Sequence, residues 1–172
     1  MIEMSEEGSL HYLIVDSTAI IHQFVLENKL NDNEFLIVPE RLLRELKSFE
    51  SKSILSLLEA EGKLSQATPS SAALEKIIEI SKKSGDYGSL SQTDLQVLAL
   101  ALDYPDSIIY SDDNAIQNVS VFLGIQVISQ HFKIKQKREY FWKCTVCGSK
   151  YSQKVEVCLD CGSPVKRFFK RK

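Results

Sequence analysis

The chain has 172 residues, a formal net charge of −2, 44% hydrophobic and 26% charged residues. That length holds one medium domain and a small module around a real core, and no apolar run approaches the roughly 20 residues of a membrane helix. The start, MIEMSEEGS, is acidic and polar, unlike a secretory signal, so a cytoplasmic protein with no membrane partner is expected.

The small net charge hides a split. Residues 1–132 carry 9 Lys/Arg and 20 Asp/Glu, a balance of −11, whereas residues 133–172 carry 12 and 3, a balance of +9. An acidic body with a basic module suits a polyanionic partner.

In chain order, residues 10–15 (LHYLIV) read as a strand and 17–28 as a helix with Ala19, Ile20, Phe24 and Val25 on its apolar side. FLIV (35–38) is a second strand, closed by Pro39 in the first turn of a helix. The helical pattern continues through Leu42, Leu43, Leu46, Ile54, Leu57 and Leu58, with a break expected near Phe49–Ser51 and Gly62 as its stop. A short strand at 63–67 follows, then a helix capped by Ser70 or Ser71. SKKSGDYGS (81–89) reads as loop. A periodic helix carries Leu95, Leu98, Ala99 and Leu102; SIIY (107–110) is a strand, DDNAIQNVSVFLG a helix and IQVIS (125–129) the last strand. This alternation predicts an α/β fold with a central parallel sheet covered on both faces and right-handed crossovers. Ligands then collect at the carboxyl ends of the strands.

Acids stand where that rule matters. Asp16 directly follows the first strand, and Asp112 and Asp113 follow SIIYS. Glu45 lies in the helix after the second strand, and Asp94 in the first turn of the long helix. Each has a purely structural alternative. Asp16, Asp112 and Asp113 can cap helices, Asp94 can form a capping box with Ser91, and Glu45 can be a solvated helix charge. Together, four acids at one sheet edge repel unless something positive sits among them. Mg²⁺ or Mn²⁺, one ion or two, is the usual remedy, and such an ion supports phosphodiester cleavage. Ser17, Ser111 and Asn114 lie close in sequence and can orient ligands or water.

The strand ending in Asp16-Ser17, the helix acid Glu45, the LSQTD helix start with Asp94 and the SDDNAIQN segment resemble a PIN nuclease domain over roughly residues 10–130. The resemblance implies a three-layer fold and metal-dependent hydrolysis of single-stranded RNA by Asp16, Glu45, Asp94 and one of Asp112 and Asp113, with no choice between the last two.

Cys144, Cys147, Cys158 and Cys161 form two C-x₂-C pairs separated by ten residues. Four thiolates so spaced wrap one tetrahedral Zn²⁺ with no open position, which makes the ion structural. Gly148 and Gly162 allow the tight turns of two knuckles. His11, His22 and His131 show no ligand spacing. Around the cysteines, Lys143, Lys150, Lys154, Lys166 and Arg167 interleave with Phe141, Trp142, Tyr151, Phe168 and Phe169, which suits RNA phosphates and unstacked bases. About half of those rings are expected in the module's own core. The expected organisation is a nuclease domain at 1–132, a basic linker at 133–140 and a zinc ribbon with basic tail at 141–172.

A PIN domain followed by such a ribbon resembles the ribosome-assembly endonucleases called Nin-one-binding proteins. LSQTDLQVLALA, YSDDNAIQNV and CTVCG…CLDCGSPVK carry that resemblance. It implies an archaeal endoribonuclease that cuts precursor small-subunit (16S) rRNA near its mature 3′ end, with that rRNA and the small-subunit precursor as partners. Toxin-type PIN ribonucleases acting on free RNA, expected to lack a ribbon, and a non-catalytic RNA-binding scaffold are the alternatives.

Overall fold

The computed structural model of the chain describes residues 10–21, 30–131 and 133–171. His22, Phe24, Val25 and the second half of the helix expected at 17–28 lie outside the described residues, as does the acidic start.

Strand β1, His11–Val15, is buried from Leu13 onward. Leu13 and Val15 enter one core and Ile14 the opposite one, the period of two of a strand covered on both faces. Strands β2 (Glu34–Pro39), β3 (Leu64–Ala67), β4 (Ile108–Tyr110) and β5 (Gln126–Ile128) lie parallel to it in the order β3-β2-β1-β4-β5. On one face, Leu13, Val15, Leu36 and Val38 meet α1 (Ser17–Ile21), α2 (Glu40–Glu45) and α3 (Phe49–Ala60) through Ala19, Ile20, Leu42, Leu55 and Leu58. On the other, Ile14, Ile37, Ile109 and Val127 meet α4 (Ser71–Ser84), α5 (Gln92–Asp103) and α6 (Asn114–Leu123) through Ala73, Ile77, Leu95, Leu98, Ile116 and Val119. This is the expected three-layer α/β architecture. The chain builds β1, β2 and β3 outward, then returns to lay β4 and β5 on the other side of β1. The strand order therefore reverses between β1 and β4, the place where open parallel sheets bind ligands.

Two local expectations shift. The break after α2 falls at residues 46–48, not at Phe49–Ser51, because the Ser48 side chain caps α3 through the Ser51 N–H. Residues 81–84, expected as loop, are the last turn of α4. Ser81 and Ser84 continue the buried face of Ile77, and each bends its hydroxyl back onto a helix carbonyl, Ile78 and Ser81 respectively. Small serines that satisfy themselves this way are buried without looking apolar.

A second, antiparallel sheet contains β6 (Arg138–Cys144), β7 (Lys150–Tyr151) and β8 (Val165–Arg171) in the order β7-β6-β8. Arg138, Glu139 and Tyr140, assigned to the linker from sequence, are already strand. The segment before them is fastened to α6: the Ile134 N–H donates to Gln117 Oε1 at 2.9 Å, and buried Asn118 exchanges two hydrogen bonds with the Arg138 backbone.

The second sheet meets the first domain at Gly85, which ends α4 in the left-handed conformation at φ +77°. A Cβ there would stand 2.3 Å from the Tyr140 carbonyl oxygen. Gly124 ends α6 at φ +74° with nothing within 4 Å of its would-be Cβ. Both alanine variants carry the left-handed strain of about 1–2 kcal/mol. Gly85→Ala should lose clearly more stability than Gly124→Ala in urea titrations, because it also forces the second sheet away.

Candidate active site and metal centre

Val15 and Tyr110 are register partners, so the next residues, Asp16 and Ser111, emerge side by side at the carboxyl edge of the sheet. Asp16 is 2% exposed. Its Oδ1 accepts the Ala19 N–H at 2.9 Å, and the Ser111 hydroxyl donates to its Oδ2. Asp16 therefore caps α1, as the structural alternative requires, and still delivers a buried carboxylate to the switch point.

Asp113 caps α6, its Oδ1 accepting from Ala115 and Ile116 at 2.7 and 2.9 Å, while its own N–H donates to Ser111 Oγ. Asp94 forms the expected capping box with Ser91 at the start of α5. Burial raises the Asp94 pKa, and the nearby charges of Asp113 and Glu45 push it the same way. Those two acids, Asp113 capping α6 and Glu45 ending α2, lie near enough for their charges to act on Asp94. Glu45 is half-exposed and receives Arg41 Nε at 3.0 Å. Ser17 opens α1 and is half-buried, whereas Asn114 is exposed at the start of α6.

Asp112 turns the other way. Its Oδ1 accepts from Ser129 Oγ and the Gln130 N–H at 2.6 and 2.7 Å, and its Oδ2 lies 2.9 Å from His131 Nδ1. Partial burial pushes its carboxyl up, but these donors outweigh it and hold it down at about 2. It ties the end of β5 to the end of β4. His131, without ligand spacing in the sequence, is one of its anchors.

The four Sγ atoms of Cys144, Cys147, Cys158 and Cys161 lie within 4.8 Å of one another. Cys144 and Cys161 are 3.5 Å apart and Cys147 and Cys158 3.4 Å, all as free thiols. Sulfurs about 2.3 Å from one tetrahedral ion are about 3.8 Å apart, so the donor set fits. Gly148 and Gly162 adopt φ +81° and +72° in the knuckles, and the Val146 N–H points at Cys144 Sγ. The Tyr151 hydroxyl, 3.1 Å from Cys158 Sγ, holds that thiol down at about 6. Among the described residues this is the one His/Cys/Asp/Glu group so tightly gathered. The acids at the sheet edge stand further apart than these sulfurs.

The register of the second sheet sorts the basic residues by face. Lys150 pairs with Lys143 and Lys143 with Lys166, so three lysines lie in a row across β7, β6 and β8. Beside them Phe141 and Phe168 stack, centroids 6.0 Å apart, with Phe168 41% exposed. Trp142 points to the opposite face and is buried against the nuclease domain side. Arg167, expected on RNA, is also on that inner face. Its Nη2 donates to Asp86 Oδ1 at 2.8 Å and its guanidinium lies 3.7 Å from the Tyr140 ring centre. Asp86 is 1% exposed and also bonds Ser84 and Asn118; burial raises its pKa in spite of those partners. Asp86, Gln117 and Asn118 are the structural residues that the sequence reading missed. Only the proximity of Gln117 and Asn118 to the SDDNA motif hinted at them.

The two displaced carboxyls predict opposite pH behaviour. Asp112, with a lowered folded pKa, adds stability that is present above the ordinary carboxylate range and is lost as pH falls towards 2. Asp94, with a raised folded pKa, adds stability only at low pH and loses it as pH rises through its folded value. Asp94→Asn should therefore be more stable than wild type at pH 7, and Asp112→Asn less stable at pH 7 with the gap closing near pH 2, measured by urea unfolding across pH.

A profile of the PIN domain of ribonucleases matches residues 13–104. Endoribonuclease Nob1 of Pyrococcus abyssi is 32% identical over 90% of this chain and 91% of its own length. A protein named Ribonuclease VapC1, from Thermoplasma acidophilum, is 32% identical over 92% of this chain and 79% of its own. The 20S-pre-rRNA D-site endonuclease NOB1 of Saccharomyces cerevisiae is 29% identical over 58% of this chain and 22% of its own length. With Asp16 at the β1/β4 switch point, a four-cysteine centre in the C-terminal module and relatives that match over most of the chain, the chain belongs to the Nob1 family of PIN-domain endoribonucleases.

Proposed function

We propose that this endoribonuclease cuts precursor small-subunit (16S) rRNA near its mature 3′ end, within the small-subunit precursor. Asp16, Asp94 and Asp113 would hold one or two Mg²⁺ or Mn²⁺ ions, with Glu45 at the rim. Such ions supply Lewis-acid stabilisation of the phosphodiester and a nucleophilic water. Ser111 positions the Asp16 carboxylate, and Asp112 keeps the β4 and β5 ends together without facing the metal. The cysteines hold one structural Zn²⁺. The outward row of Lys143, Lys150 and Lys166, with the Phe141–Phe168 stack, binds RNA through phosphates and bases, and Lys154 adds charge on the side that faces Gly88.

The observation that carries this reading is buried Asp16 at the β1/β4 switch point, held by the same Ser111 hydroxyl that accepts the Asp113 N–H, because carboxylates are placed side by side at a stability cost unless a cation or substrate needs them there. The similarity to a protein named VapC1 favours a second reading, cleavage of free RNA without ribosomal specificity.

One experiment addresses both. Zinc-loaded protein is incubated with Mn²⁺ and an rRNA fragment spanning the mature 3′ end, beside an unrelated RNA of equal length, and the products are mapped. A single cut near the mature end, absent from the unrelated RNA, is expected. Asp16→Asn should cut several orders of magnitude more slowly while binding RNA as before, since Asn keeps the α1 cap. Equal cutting of both RNAs would support the second reading, and unchanged cleavage in Asp16→Asn would remove that residue from the site.

A further inference from the structure

A cleft of about 390 Å³ opens between the end of α4 and the second sheet, a size in the range of small-molecule sites. Lys82, Tyr87 and Gly88 line it from the nuclease domain, and Trp142, Gln153 and Lys154 from the ribbon. It lies outside the acid edge and behind the outward lysine row.

Its chemistry is specific. Tyr87 presents a ring that is 38% exposed, and the Lys82 ammonium stands 5.2 Å from the centre of that ring. Lys154 supplies a second cation from the opposite wall. Neither lysine forms an ion pair with a carboxylate of the described residues. Gln153 and Ser152 add hydrogen-bonding groups at the ribbon side. A π-face, two uncommitted cations and an amide together fit a planar heterocycle joined to an anion.

The walls are also fixed in advance. Asp86, next to Gly85 in the cleft lining, is held by Arg167, Asn118 and Ser84. Arg167 also lies 5.6 Å from the Trp142 ring centre. Gly88 leaves the nuclease-side wall bare, and a Cβ there would already stand 3.8 Å from Lys154 Cβ, so a longer side chain would fill the opening. The wall continues directly into the Ser91 cap of α5. Gly88 is thus six residues from Asp94, at most about 20 Å of chain.

We propose that this cleft receives one unstacked nucleotide of the RNA strand whose scissile bond lies at the acid edge, its base beside Tyr87 and its phosphate between Lys82 and Lys154. The proposal rests on the RNA-cleaving reading for its ligand but not on ribosomal specificity.

Trp142 is the chain's only tryptophan, so its fluorescence reports the cleft. The full, zinc-loaded chain is titrated with a single-stranded hexanucleotide RNA and, separately, with AMP. No chelator is present, because it would strip the cysteines, and no Mg²⁺ or Mn²⁺ is added, so nothing is cut. The hexanucleotide should change the emission saturably. Tyr87→Ala and Lys82→Ala should each raise its midpoint about tenfold, and Gly88→Leu should abolish the response. Should Gly88→Leu fail to fold, the exposed Lys82→Ala carries the test. A midpoint unchanged in both Lys82→Ala and Tyr87→Ala overturns the proposal. So does a saturable response to AMP with none to the hexanucleotide, which would mark a site for free nucleotides. A Lys82-dependent response in a protein that leaves rRNA uncut would reject the ribosomal reading and uphold the cleft.

Discussion

Because β1 has both faces in the core, the residue that follows it leaves at the carboxyl edge of the sheet, and that residue, Asp16, is a buried carboxylate. A carboxylate there has to be answered by hydrogen bonds or by positive charge. The Ser111 hydroxyl and the Ala19 N–H answer part of it. The remainder of the edge adds negative charge: Asp94 from α5, Asp113 at the cap of α6 and Glu45 from α2, with Asp94 destabilised as an anion first by burial and then by the other two. Among the described residues no Lys or Arg pairs with Asp94 or Asp113. An edge so arranged is suited to a divalent cation and a phosphate strand, and the proposed nuclease role follows from that imbalance.

Besides buried Trp142, a set of polar contacts attaches the second sheet. Arg167 reaches buried Asp86, Asn118 pairs with the Arg138 backbone, and Gly85 lets Tyr140 approach to backbone contact. Removing one partner of such a buried network costs far more than an exposed pair, because the other is left unpaired. The attachment has a geometric consequence. With Tyr140, Trp142 and Arg167 turned inward, alternation along β6 and β8 turns Phe141, Lys143, Lys166 and Phe168 outward. The same network that binds the module orients its basic face.

Strand positions and the acids could be read from the sequence because apolar runs followed at once by Asp are strong, local signals. Asp16, Asp94 and Asp113 cap their helices, so the structural alternative holds for each of them, yet capping places the acids at the edge instead of competing with it. The choice between Asp112 and Asp113 could not be read. It depends on Ser129 and His131, which reach Asp112 from the far end of β5. Arg167 looked like an RNA contact because its partner, Asp86, is 81 residues away in a stretch that reads as polar loop. The last turn of α4 was hidden for a related reason, since Ser81 and Ser84 bury hydroxyls that only the folded helix satisfies.

The account turns on which carboxylates share the cation, and Mn²⁺ binding to two neighbouring variants tests it most directly. Asn replaces Asp as a helix cap at little cost, so Asp113→Asn should fold like wild type. Measured by electron paramagnetic resonance of free Mn²⁺ on zinc-loaded protein, Asp113→Asn should lose Mn²⁺ affinity at least about tenfold. Asp112→Asn, whose carboxylate is turned towards Ser129 and His131, should bind Mn²⁺ nearly as wild type does. Equal affinity in wild type and Asp113→Asn, or a selective loss in Asp112→Asn, would contradict the arrangement of the acid edge described above.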